Sequence, residues 1–187
     1  PDRCTNGANL PGRGPLLPVG VNWDRAQNFC AWFGGRLPTE AEWEFAASGR
    51  GTRAPFPWGV GEPTCAQAYH RDLCENAQNV PTTVCGDQRR TAEGVCDLAG
   101  NIREWTFDRF SGALSTTIPE REELPIVDPV YFARGATNAI MRGGYTGSPI
   151  EYFYNASRRA QGKNANTLVW GFRCVWSAVT LEQMTRR

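Results

Sequence analysis

Seven cysteines, one histidine and a short acidic turn are the groups of this 187-residue chain with the widest chemical reach. The cysteines stand at Cys4, Cys30, Cys65, Cys74, Cys85, Cys96 and Cys174, and no two are spaced as a C-x-x-C zinc pair. So many thiols are unusual in a reducing cytosol, so an oxidising, extracytoplasmic compartment (cell envelope, periplasm or secreted) is expected. The odd count leaves one thiol over, and Cys4 is the candidate to be free or paired outside the chain. The sole histidine, His70, lies in the cysteine-rich stretch and reads as a surface residue. With it alone there is no ligand set for a histidine-bound iron, and a Ser-His-Asp triad would hang on one unplaced residue. Asp97, Gly100, Asn101, Ile102 and Glu104 form a tight Gly-Asn turn flanked by two carboxylates. Such hard oxygens suit Ca²⁺, while Asp97 and Asn101 can equally cap a turn with no metal.

These groups need elements to hold them. Asn22 to Phe33 reads as a first helix, with Ala26, Phe29, Cys30 and Phe33 at helical spacing, Asn22 as N-cap and Gly34-Gly35 as the stop. A second helix starts at Pro38-Thr39, where Thr39 and Glu42 make a capping box. It runs to Ala47 and stops at Ser48 to Gly51, with Trp43, Ala46 and Ala47 on one face directed at the first helix. From Pro55 to Val95 neither period is sustained, so a long excursion stapled by disulfides is expected. Short strands follow at Ile102 to Phe107, Ile140 to Gly143, Tyr152 to Ala156 and Phe172 to Ser177, with a polar loop from Ser111 to Asn138. The 20 Gly and 13 Pro fit a loop-rich α+β domain, and the seven Trp, nine Phe and five Tyr supply its core. One domain over residues 1–187 is expected, with 1–20 as a lead-in and 178–187 as a tail. Twenty basic residues against 19 acids, scattered along the chain, argue against a nucleic-acid partner. No apolar run approaches a membrane span.

The run Gly35 to Phe45 (GRLPTEAEWEF), Phe56-Pro57-Trp58-Gly59, Gly94 to Trp105 (GVCDLAGNIREW), Arg142-Gly143-Gly144 and Gly171-Phe172-Arg173-Cys174 resemble, in order, the formylglycine-generating enzyme or sulfatase-modifying factor family. The resemblance spans about residues 21–177 and implies a C-type-lectin-like fold. It also implies a disulfide between Cys30 and Cys174, which leaves Cys65, Cys74, Cys85 and Cys96 with three connectivities, of which the local pairs Cys65–Cys74 and Cys85–Cys96 are the simplest. It further implies calcium held by the side chains of Asp97 and Glu104 and the carbonyls of Gly100 and Ile102. Arg36 and the acids of the second helix are expected to form buried ion pairs that fix that helix.

Enzymes of the family oxidise a substrate cysteine with a copper-binding cysteine pair between the last two motifs. Here Tyr145 to Trp170 holds no cysteine, and alignment on Arg159 puts the two positions near Glu151 and Ala156. Without a thiolate there is no soft ligand for Cu(I), so no copper is expected. The leading expectation is therefore a non-catalytic binding or structural module, calcium-stabilised, that engages a protein or glycan ligand or an envelope assembly partner. Its candidate ligand surface is Tyr145, Tyr152, Tyr154, Asn155, Arg158 and Asn164, a Tyr- and Asn-rich set suited to adaptable contacts. The alternative is a cysteine-independent oxidase of the pigment- or siderophore-tailoring type that uses Glu151.

Overall fold

The computed structural model describes residues 20–75, 77, 80–85, 90–110, 129–132 and 134–177. Cys4, the lead-in up to residue 19, the tail from residue 178 and most of the polar stretch after Ser111 lie outside the described residues.

Two helices open the fold. Helix α1 spans Trp23–Trp32, and its N-cap Asn22 accepts a hydrogen bond from the Arg25 N–H at 3.0 Å. Trp23, Ala26 and Cys30 recur every three to four residues and form its buried face. They pack on Leu37, Trp105, Ala139 and Met141, the main core. Helix α2 spans Glu40–Ala47 and carries the full capping box: Thr39 Oγ1 accepts from the Glu42 N–H, and Glu42 accepts from the Thr39 N–H. Its buried residues, Trp43 and Ala47, pack against Leu98 and Val95, and not on α1 as expected. Ala46 is only partly buried.

Four strands follow: β1 (Arg103–Phe110), β2 (Asn138–Arg142), β3 (Arg158–Gly162) and β4 (Trp170–Phe172), in spatial order β3-β2-β1-β4. Strand β2 runs antiparallel to β1 and β3, whereas β4 lies parallel to β1, so the sheet is mixed. Two strand expectations change. Tyr152 to Ala156 is not a strand, because Ile150–Phe153 form a 3-10 turn and Phe153 drops into a core of Phe56, Ala68 and Ala99. The strand begins later, at Arg158. Beyond β4, Val175 contributes only an isolated bridge to Arg36.

Between residues 55 and 95 the described chain carries no helix or strand, only isolated bridges such as Tyr69 to Gly100. Disulfides Cys65–Cys74 and Cys85–Cys96 staple this excursion, with Cα separations of 4.7 and 5.1 Å. The third disulfide, Cys30–Cys174, joins α1 to the segment after β4 across a sequence separation of 144. By restricting the unfolded chain, such a bridge contributes about 2–4 kcal/mol. Among the described residues no helix is long and apolar enough to cross a membrane.

Candidate functional site

The packing of α2 on the sheet sets the geometry around β2 and β3. Glu40 and Glu44, one helical turn apart, both reach the buried Arg142 at the end of β2, with Glu40 Oε1 accepting from Nη1 at 3.1 Å. Arg142 also donates to the carbonyls of Asn155 and Ala156. Arg158 on β3 closes a fork on Glu40, with Nε to Oε1 at 2.8 Å and Nη2 on Oε2. The expected buried pairing therefore exists, but through Arg142 and Arg158. Arg36 instead pairs with Glu42 at 2.5 and 2.6 Å at a half-exposed position.

A second pairing sits below the acidic turn. Glu104 accepts two bonds from Arg173, each 2.6 Å, and one from Trp43 Nε1 at 2.8 Å. Burial opposes the charge on Arg173, yet the adjoining Glu104 carboxylate more than offsets it and holds that guanidinium above its ordinary pKa. Asp97 is buried and accepts from the Cys85 N–H at 2.5 Å. Asp97, Gly100 and Asn101 all have positive φ (53, 76 and 55°), which curls the turn tightly. Gly100 is required there, since a Cβ would meet the Tyr69 carbonyl oxygen at 2.5 Å. Asp97 and Glu104 are hard oxygen donors, but Glu104 already carries the Arg173 fork and the Trp43 N–H, with only Oε1 left at a single accepted bond. If calcium binds here, Asp97 and Glu104 would hold it through carboxylates and Gly100 and Ile102 through carbonyls.

A third arginine is of another kind. Arg103 opens β1 and is only 6% exposed. Its guanidinium carbon sits 5.4 Å from the Tyr145 ring centroid and 4.7 Å from that of Tyr152. Nε donates to the Gly143 carbonyl at 3.3 Å. Gly143 turns at φ 66°, and a side chain there would strike the Leu98 carbonyl oxygen at 2.8 Å. Burial first, and then the neighbouring Arg159, push the Arg103 pKa below its ordinary value. Arg159, exposed on β3, donates from Nη1 to the Tyr152 hydroxyl at 2.7 Å and lies 5.7 Å from the same ring.

The structure divides the expected ligand surface. Tyr145 and Tyr152 line the Arg103 site. Tyr154 is 46% exposed and stacks on Phe56 at 4.5 Å, with Trp58 stacked on the other side at 4.7 Å. Asn164 is exposed. Asn155 is a correction: it is 3% exposed, and its Nδ2 donates to the carbonyls of Ala47 and Ala54, tying α2 to the loop after it. Arg158 is another, being committed to Glu40. His70 is a third. It is 1% exposed, with Nε2 against the Ser148 carbonyl at 2.8 Å, Nδ1 accepting from the Asp72 N–H, and its ring packed edge-on to Phe153. Glu151 is exposed on the 3-10 turn.

Arg103 and Arg159 escaped the sequence reading as binding groups. Arg103 sits inside a recognised motif, but only the fold brings it to two tyrosines that follow the Arg-Gly-Gly run.

A model of the sulfatase-modifying factor enzyme 1-like domain matches residues 6–178. A formylglycine-generating enzyme of Streptomyces coelicolor is 30% identical over 89% of this chain and 54% of its own length. The inactive C-alpha-formylglycine-generating enzyme 2 of Bos taurus is 36% identical over 51% of this chain and 34% of its own. The serine/threonine-protein kinase Pkn1 of Chlamydia trachomatis is 29% identical over 88% of this chain and 25% of its own. The chain thus spans from a quarter to about half the length of these curated relatives. Among solved structures, PvdO from Pseudomonas aeruginosa superposes with a TM-score of 0.70 at 22% identity, over 90% of this chain and 65% of that one. Treponema denticola variable protein 1 gives 0.65 at 18% identity, over 91% and 75%. At these identities the two structures speak to the fold alone.

Proposed function

This chain belongs to the sulfatase-modifying factor enzyme 1-like family, and on that premise we propose that it is a non-catalytic extracytoplasmic module of that scaffold. It binds a ligand through the loops between the Arg-Gly-Gly and Gly-Phe-Arg-Cys motifs and is stabilised by calcium at the Asp97 to Glu104 turn. One observation carries the reading. The interval Tyr145 to Trp170 contains no thiol, and its sole carboxylate, Glu151, is solvent-exposed. Set in water on a 3-10 turn, that carboxylate is not enclosed with other groups that could aim it at a substrate. In place of nucleophiles, the region presents Tyr145, Tyr152, Tyr154 and arginines, residues that make contact area and directional hydrogen bonds. The match to a relative named as an inactive formylglycine-generating enzyme supports a scaffold kept without turnover. Three disulfides support an oxidising compartment.

Elemental analysis of the purified protein, combined with thermal unfolding with and without a calcium chelator, tests the reading. The expected result is calcium without copper and a melting temperature that falls on chelation. Stoichiometric copper would overturn the non-catalytic assignment, and a chelator-insensitive melt would remove calcium from it.

A further inference from the structure

We propose that Arg103, with Arg159 and the phenols of Tyr145 and Tyr152, forms a recognition site for a carboxylate group on the ligand. The inference rests on the binding-module reading and names the chemistry that the module recognises. Arginine holds its charge at any ordinary pH, so a buried guanidinium calls for an anion or for dense hydrogen bonding. Two arginines meet that requirement within the protein: Arg142 takes Glu40 and Glu44, and Arg173 takes Glu104. Arg103 is as deeply placed and has no carboxylate partner among the described residues. Its one hydrogen bond there, from Nε to Gly143, leaves the two Nη groups, the fork that matches the two oxygens of a carboxylate.

The surroundings reinforce the point. The nearest charge is another cation, Arg159, linked to Arg103 through the Tyr152 ring that both guanidiniums approach. Two like charges held about one aromatic ring repel each other, and an anion between them turns that repulsion into attraction. The faces of Tyr145 and Tyr152 offset part of the desolvation of Arg103 through cation–π contact, which lets the charge persist in the unliganded protein. Because the Tyr152 oxygen accepts from Arg159, its own O–H is left to donate to an incoming anion. Arg159 is exposed to solvent, whereas Arg103 is buried.

Titration with sodium benzoate, with the neutral isostere benzamide and with inorganic phosphate, at constant ionic strength and followed by backbone amide chemical shifts, tests the site. Benzoate should saturate and perturb residues around Arg103 and Tyr152, with benzamide and phosphate each weaker by about tenfold or more. Arg103→Gln and Arg159→Gln should each weaken benzoate, while Arg50→Gln, a remote surface change, should not. The exposed Arg159→Gln keeps the test valid if Arg103→Gln does not fold. Equal binding of benzoate and benzamide, wild-type affinity in the Arg159→Gln protein, or phosphate binding as tight as benzoate would each overturn the carboxylate assignment. Failure here together with a copper-free protein leaves the module reading standing, whereas copper in the protein defeats that reading whatever benzoate does.

Discussion

Arg142 and Arg103 are both buried arginines at the same end of the two central strands of the sheet, and their surroundings are opposite. The two Nη groups of Arg142 are taken by two glutamates of α2 and two backbone carbonyls, whereas Arg103 is flanked by two tyrosines and a second arginine. The first arrangement completes its electrostatics inside the protein and locks α2 to β2 and β3. The second has no carboxylate among the described residues, and on our proposal a ligand supplies it. In this scaffold, then, burial of a charge marks structure where the protein supplies the counter-charge and recognition where it does not.

The contrast is most exposed to refutation in the Arg142→Met variant. It strands Glu40 and Glu44, so urea unfolding should show a loss of about 3–5 kcal/mol. Arg103→Met removes a charge that has no carboxylate partner among the described residues and should cost about 1 kcal/mol or less. Equal losses would erase the distinction. A loss of about 2–4 kcal/mol, below that of Arg142→Met, is expected when Cys30 and Cys174 are both replaced by serine, because that bridge holds α1 to the segment that carries Arg173. If the bridge supports the paired region and not the Tyr-Arg site, the double variant should keep its benzoate affinity at temperatures where it remains folded.

Smallest is the half-exposed Arg36–Glu42 pair. The Arg36 guanidinium, hydrogen-bonded to Glu42, outweighs burial and holds that carboxyl below the usual carboxylate range. The folded protein therefore binds this proton less tightly than the unfolded chain. The stabilisation is complete above the ordinary carboxylate pKa and is lost as pH falls through the depressed value. Glu42→Gln, which can still reach the Thr39 N–H, should melt slightly below wild type at neutral pH, and the gap should close in acid. A gap that widens in acid would reverse the assignment.

The helices were legible because their signals are local: Asn22, Thr39 and Glu42 act on backbone groups within one turn. The excursion between residues 55 and 95 was legible from the absence of any period and the density of cysteines. Strand β3, with sequence RRAQG, was not, since it lacks the β-branched and aromatic residues that mark a strand. The aromatic run just before it drew the assignment, although Phe153 is there to fill a core pocket from a 3-10 turn. His70 read as surface because a lone polar residue among turns looks solvated. The Ser148 carbonyl that satisfies it lies 78 positions away. The Glu40 and Arg142 pairing, 102 positions apart, and the meeting of Arg103 with Tyr152 are likewise products of the sheet order, which no local pattern encodes.

Incubating the protein aerobically with copper and a cysteine-bearing peptide of the kind that formylglycine-generating enzymes oxidise, and then weighing the peptide, tests the central claim most directly. Recovery of the thiol unchanged is the predicted result, and its conversion to an aldehyde would contradict the account.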